Sequence, residues 1–183
     1  MAARYSVAVT TRQTLPLLWL LSDERNDAQL EAALAGLPRG SGFVFRHYHL
    51  APEERRARFD RLAAIARDHG HLVILSRASG WGEDGTYGPP ECFGEGLRLA
   101  TAHDGDEIRH AVEGGADGIF LSPVFPTASH PGGATLGAFG FNVLAQQSSV
   151  PVIALGGMDA QRAAELGWPR WGAIDGLAST KVA

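Results

Sequence analysis

The chain of 183 residues is 45% hydrophobic and 20% charged, enough for one domain with a substantial core and too few for two ordinary ones. Its 16 basic and 20 acidic residues leave a net charge of -4, with Lys181 the only lysine, which excludes the basic footprint of a nucleic-acid binder. The single cysteine, Cys92, excludes an internal disulfide and a thiolate metal cluster, so a reducing cytoplasm is the expected setting.

Residues 1–14 are expected to be a flexible N-terminal segment. The apolar run that follows, about residues 15–21, is well short of a membrane span and has no small-residue cleavage site, so it reads as a buried strand over 17–21. A helix capped by Asn26 or Asp27, with Leu30, Ala33 and Leu34 facing inward, stops at Gly36. A strand at 42–45 precedes a helix that starts near Pro52 and carries Phe59, Leu62, Ala63 and Ala66 as its apolar stripe up to Gly70. The arginines between Glu54 and Arg61 alternate with acids, as on a solvated face.

After a strand at 72–75 the alternation fails. Residues 79–96, rich in Gly and Pro, read as a loop or a degraded strand-helix unit. It resumes with a strand at 97–100, a helix opened by an Asp104/Glu107 capping box and closed by Gly114, and a strand at 118–121. Strands at 150–155 and 173–177 flank a helix capped by Asp159 that ends near Gly167. Continuously apolar strands alternating with helices are the pattern of a parallel sheet covered by helices.

In such folds chemistry gathers beyond the carboxyl ends of the strands. The residues there are Ser22 to Arg25, Arg46 to His49, Ser76-Arg77, Thr101 and His103, then Ser122, Thr127, Ser129 and His130, then Gly156-Gly157, and finally Ser179 and Thr180. Gly156-Gly157, placed between a strand and a capped helix, is either an anion-binding backbone turn or a tight turn needing glycine for conformation alone. His47 and His49 at strand spacing point to one side, as proton carriers or as hydrogen-bonded surface histidines. Arg46 and Arg77 grip an anion or pair with Asp23 or Glu24.

On these residues the chain resembles the thiamine phosphate synthase and thiazole tautomerase superfamily of (β/α)8 TIM barrels. The resemblance is clearest from Arg98 to Ser179. "GADGIFLSPVFPT" is similar to a family signature ending in Gly-Pro-Val-Phe-Pro-Thr, and "VPVIALGGMD" to its Pro-Val-x-Ala-x-Gly-Gly-Ile segment. "WLLSDER" resembles the first strand, and "ATAHDGDEI" a Ser-x-His strand end with Thr101 and His103 in the Ser and His places. The resemblance implies a shortened TIM barrel, one domain over residues 1–183, with the unit at 79–96 degraded. A trimmed barrel of this kind invites an edge that a second copy of the chain covers, making a homo-oligomer.

The resemblance also implies a cytoplasmic enzyme of thiamine biosynthesis with no membrane or nucleic-acid partner. Aminopyrimidine diphosphate loses Mg2+-bound pyrophosphate, and the nitrogen of a thiazole phosphate attacks the resulting methylene cation. Thr127, Gly156, Gly157, Ala178 and Ser179 would hold the thiazole phosphate. Arg46, Thr101, His103 and His130 would serve catalysis, His47 is a further proton carrier, and Asp23, Arg77 and Ser122 complete the pocket.

The chain departs from the family at several points. Its second strand end, "FVFRHYH", keeps Arg46 but carries Val44, His47 and Tyr48 at positions of other family residues. The family's Asn-Asp after the third strand is Ser76-Arg77, and its Lys beyond Pro-Thr is His130. The fourth-strand acid has no counterpart unless Asp84 or Glu91 supplies a Mg2+ ligand. The tautomerase histidine position is Pro123. Two alternatives follow: a non-catalytic binder of a thiamine precursor phosphate, and a metal-independent isomerase acting on the thiazole.

Overall fold

The computed structural model describes residues 15–129 and 132–178. Eight parallel strands close into a barrel: β1 (Leu18–Leu21), β2 (Gly42–Phe45), β3 (Leu72–Ser76), β4 (Gly85–Tyr87), β5 (Leu97–Ala102), β6 (Gly118–Leu121), β7 (Val152–Ala154) and β8 (Trp171–Ala173). Between them lie α1 (Leu30–Gly36), α2 (Pro52–Asp68), α3 (Gly105–Glu113), α4 (Gly137–Ala145) and α5 (Ala160–Leu166), and α6 (Asp175–Ala178) follows β8. None of these helices is long and apolar enough to cross a membrane.

Closure corrects the expectation of an open edge. β1 pairs with both β2 and β8, so every described strand has two neighbours and no edge is left for a second copy to cover. The unit at 79–96 keeps its strand, β4, but has only a 3-10 turn at Pro90–Cys92 where a helix would stand. Three residues are too few to register as a strand by periodicity. The last unit is shifted: the strand expected at 173–177 lies at Trp171–Ala173, and the chain is already helical from Asp175.

Two apolar layers hold the barrel. Its interior is filled by side chains including Trp19, Val44, Ile74, Leu99 and Phe120. The Trp19 and Phe120 rings meet edge to face at 5.5 Å, and Trp19 Nε1 donates to the Pro16 carbonyl oxygen at 2.9 Å. Gly42 is required opposite that indole, since a Cβ there would fall 2.1 Å from its ring. The second layer, between strands and helices, includes Leu34, Phe59, Leu62, Ile108 and Phe141, each fully or almost fully buried. Burying a side chain of this kind contributes roughly 1.5–3 kcal/mol.

Helix punctuation agrees with the sequence at two starts and differs at one. Asp104 and Asp159 accept from the N–H groups of Glu107 and Arg162 at 2.9 and 2.8 Å. Glu107 reaches back to the N–H of His103 at 2.7 Å, one residue before the cap. Before α1, however, the cap is Asp23, opening a 3-10 turn at Glu24–Gln29. Asn26 is instead buried, donating to the carbonyl oxygens of Leu21 and Ile174 at 3.0 and 2.9 Å, and so ties the end of β1 to the end of β8.

Candidate functional site

The carboxyl ends of the strands open into a cleft of about 760 Å³, with Arg46, Arg77, Thr101, Ser122, Thr127 and Gly157 among its lining residues. A smaller cavity of about 180 Å³ adjoins it, lined by Ser22 to Glu24 and Arg46 to His49. Polar groups from the ends of β2, β3, β5, β6, β7 and β8 thus converge in one place, as the parallel topology requires.

One wall is backbone. The Ser122-Pro123 bond is cis, and Val124 and Phe125 donate to the carbonyl oxygens of Leu155 and Gly156 at 2.9 and 3.1 Å, lacing the loop after β6 onto the loop after β7. Gly156 and Gly157 have φ of 91° and 63°, and a Cβ on either would collide, at 2.7 Å with Pro123 or at 2.5 Å with the Pro126 carbonyl oxygen. Both reasons for glycine therefore act at once: left-handed backbone and close approach. Among the described residues neither Gly156 nor Gly157 donates its N–H to a protein acceptor, and both face the cleft. Thr127 Oγ1 accepts from the N–H of Ser129, whose hydroxyl in turn receives a hydrogen bond from Arg25 at 2.9 Å. Ala178 closes α6, and His130 and Ser179 lie outside the described residues, as do residues 1–14.

The opposite wall is cationic. Arg46 lines the cleft with its Nε buried and without a hydrogen-bond partner, and its nearest carboxylate is Asp23 at 3.6 Å. Arg77, at φ 55°, lies over the Tyr48 ring with its guanidinium carbon 4.1 Å from the centroid. Tyr48 donates to Ser76 Oγ at 2.7 Å, since that hydroxyl already donates to the Tyr87 carbonyl oxygen at 3.0 Å. Tyr87 itself is buried, which pushes its phenol up to about 12 and keeps it neutral.

Behind this wall stands Arg55, which sequence reasoning placed on a solvated face. It is 9% exposed; its Nε donates to the Arg46 carbonyl oxygen at 3.0 Å and its Nη2 to that of Ser76 at 2.5 Å. The signal was present in the spacing. Arg55 falls on the same helical stripe as Phe59, Leu62 and Ala66, four, seven and eleven residues on. Arg58 is also turned inward, bonding Asp27 at 2.8 Å and Glu31 at 2.5 Å.

His47 does not project from a strand. β2 ends at Phe45, and His47 sits in a left-handed turn at φ 36°, its ring stacked on Phe45 at 4.8 Å and tilted against His49 at 5.2 Å. Both of its nitrogens are engaged: Nδ1 with Ser22 Oγ at 2.8 Å and Nε2 with Asp27 Oδ1 at 2.6 Å. Burial lowers its pKa against the opposing pull of Asp27, so the ring is neutral, donating from Nε2 and accepting at Nδ1. Ser22 Oγ also accepts from the N–H of Arg46 at 2.7 Å, which links the buried ring to the cationic wall.

Between the walls, Thr101 and Ser122 are half-buried. His103, on the same lining, is exposed, with Nδ1 2.8 Å from Glu107. The two acids considered as metal ligands lie elsewhere. Asp84 precedes β4 at the amino end of the barrel, where it accepts from the N–H of Val73 at 2.7 Å. Glu91 is exposed and pairs with His110 of α3 at 2.9 Å. Among the described residues no three His, Cys, Asp or Glu side chains converge as a ligand set.

Residues 91–173 match the family model described as thiamine monophosphate synthase. The chain is 38% identical over 160 residues to "Putative thiamine-phosphate synthase 2" of Aquifex aeolicus, covering 79% of this chain and 86% of that one. It is 36% identical over 75 residues to the thiamine-phosphate synthase of Chloroflexus aurantiacus, covering 40% and 35% of the two chains. Among solved structures, thiamine phosphate pyrophosphorylase from Pyrococcus furiosus superposes with a TM-score of 0.75 at 20% identity, over 91% of this chain and 89% of that one. Matching in sequence over most of a relative's length and in barrel architecture, the chain belongs to the thiamine phosphate synthase family.

Proposed function

We propose that the protein is a thiamine phosphate synthase-like enzyme, a single barrel domain that acts in the cytoplasm on a phosphorylated heterocycle. The observation that carries this reading is one cleft with the Gly156-Gly157 turn, whose N–H groups have no protein acceptor among the described residues, on one wall and the guanidinium groups of Arg46 and Arg77 on the other. A substrate pair bearing phosphate at both ends fits such a cleft.

In this reading Gly156, Gly157 and Thr127, with Ala178 and Ser179, hold the phosphate of the thiazole. Its ring nitrogen is then directed at the methylene carbon of the aminopyrimidine diphosphate. The carbon–oxygen bond to the diphosphate breaks with its electron pair leaving on oxygen, and the nitrogen lone pair forms the new carbon–nitrogen bond. Negative charge grows on the leaving group, and the protein's task is to compensate it. Thr101 and Ser122 offer hydroxyls along the reacting centre, and His103, held by Glu107, is the exposed proton carrier. His47 positions the turn that carries Arg46 and exchanges no proton with substrate.

The family's Mg2+ does not fit the residues present. Magnesium demands near-octahedral oxygen ligands, mainly carboxylates, phosphates and water. At the ends of β2 to β4 the cleft offers Arg46, Tyr48, Ser76, Arg77 and the buried Tyr87, and no carboxylate.

The test is to incubate the purified protein with aminopyrimidine diphosphate and thiazole phosphate and to follow pyrophosphate release together with thiamine phosphate formation. Matched appearance of both products is expected. Thermal stabilisation by thiazole phosphate with no product would overturn the enzymatic reading in favour of a binder, and turnover of thiazole without pyrophosphate would favour the isomerase.

A further inference from the structure

We infer that the β2–β3 wall of the cleft is a metal-independent site for a diphosphate-class anion, in which the guanidinium groups of Arg46 and Arg77 take the role of a divalent cation. The inference rests on the reading that the cleft receives phosphorylated substrates, and it assigns charge compensation at the leaving-group end to this chain's own cations.

Both arginines line the cleft and keep unused hydrogen-bonding capacity. Arg77 has no carboxylate partner among the described residues, and its recorded contact is with the Tyr48 ring. Arg46 leaves Nε buried without an acceptor, so its guanidinium is not saturated by protein partners. The Arg46 guanidinium carbon lies 5.5 Å from the same Tyr48 centroid, so the phenol is a shelf shared by both cations. A planar guanidinium presents a fork that binds two oxygens of a phosphoryl group at once.

The backbone that carries the two arginines is fixed. Arg55 binds the carbonyl oxygens of Arg46 and Ser76, the residues at the ends of β2 and β3, and adds a third positive charge behind the shelf. The other carboxylates at the cleft are engaged elsewhere: Asp159 caps α5 and pairs with Arg162, and Asp175 is 3.6 Å from Arg25. Among the described residues, the carboxylate paired with the cluster is Asp23, shared between Arg25 and Arg46. A site with this charge balance attracts a polyanion and repels a free divalent cation.

The experiment titrates inorganic pyrophosphate into the full chain by calorimetry, once with chelator and once with excess Mg2+. Binding with chelator at an affinity equal to or tighter than that with Mg2+ is expected. Arg77→Asn keeps a residue suited to the left-handed backbone and removes the charge. It should weaken pyrophosphate binding about tenfold or more, Arg77→Lys should restore part of the loss, and thiazole phosphate affinity should stay within about twofold of the parent. Thermal melting confirms that both variants fold. Tenfold tighter pyrophosphate binding in Mg2+, or an Arg77→Asn variant that binds like the parent, would overturn the inference. Thiazole phosphate that fails to bind while pyrophosphate binds without metal would instead sink the synthase reading and leave this site standing.

Discussion

Gly157 faces Pro126 so closely that a Cβ on the glycine would stand 2.5 Å from the proline's carbonyl oxygen. The two loops that form the backbone wall therefore touch main chain to main chain. Gly157→Ala must push them apart as well as accept a left-handed φ of 63°. A stability loss of about 1–3 kcal/mol is expected by urea denaturation, together with a clear loss of thiazole phosphate affinity. Gly167 is the control: its φ is 64°, but nothing lies within 4 Å of an added Cβ. Alanine there should cost about 1 kcal/mol and leave ligand binding alone. Equal effects at both positions would mean that the close approach is irrelevant.

Arg55 supports a second prediction. Arg55→Met keeps much of the packing against Phe45 and Trp81, whose ring centroids lie 5.5 and 5.2 Å from the guanidinium, but leaves the carbonyl oxygens of Arg46 and Ser76 without their donor. Hydrogen bonds from a charged donor contribute about 1.5–3 kcal/mol, so a loss of at least about 2 kcal/mol is expected by denaturant titration. Pyrophosphate affinity should fall with it, because the strand ends that carry Arg46 and Arg77 lose their brace. Full stability in this variant would return Arg55 to the solvated face that its sequence context suggested.

The barrel was legible because its strands are buried on both faces and read as short apolar runs, as at Gly42–Phe45 and Gly118–Leu121. β4 was not, because Gly85, Thr86 and Tyr87 are buried by their neighbours and not by their own hydrophobicity. The lining of the cleft was legible where position alone decides it: residues at or just past the carboxyl end of a strand reach it, and Arg46, Arg77, Thr101, Ser122 and Gly156 do so. It was not legible where a turn intervenes. His47 and His49 looked like a strand pair, yet the left-handed turn at His47 buries one ring under Ser22 and Asp27. Arg55 was hidden by its charge, although its spacing to Phe59 and Leu62 matched the apolar stripe.

Two buried histidines set a pH dependence. Burial lowers the pKa of His47 and of His71, whose Nε2 donates to the Leu34 carbonyl oxygen at 2.9 Å, below the usual 6.5. Between the folded pKa and 6.5 the unfolded chain binds more protons, so stability rises with pH there. It should be intact above about pH 7 and fall on acidification through 6.5 until the folded pKa is passed, by at most about 1.4 kcal/mol per pH unit per histidine. Asp27 and Glu31 act in a separate window. Burial pulls Asp27 up, but hydrogen bonds from His47 and Arg58 outweigh it; Glu31 is lowered chiefly by its hydrogen bond from Arg58. Their contribution is present above the unfolded values of 3.8 and 4.5 and is lost below them. Urea midpoints at pH 7.5, 6.5 and 5.5 measure the first window, and His71→Gln, which can keep the bond to Leu34, should make that slope shallower. An unchanged slope in the variant would show that His71 does not titrate with folding.

Among the described residues, Asp23 is the acid paired with the cationic wall, 3.6 Å from Arg46 and 3.3 Å from Arg25. At 23% side-chain exposure its pairing with these arginines is worth about 0–1 kcal/mol at most, and as the cap of the turn at Glu24–Gln29 it is replaceable by Asn, an equally good cap. Asp23→Asn should therefore change stability little. An anion held by Arg46 would lose a repulsive neighbour, and pyrophosphate in the presence of chelator is expected to bind about threefold to tenfold tighter, with the gain shrinking as salt is raised. Unchanged affinity would place the anion out of reach of Arg46. Weaker affinity would mean that Asp23 orients Arg46 for binding more than it competes with the ligand. The direction of this single change thus distinguishes a competing carboxylate from a positioning one.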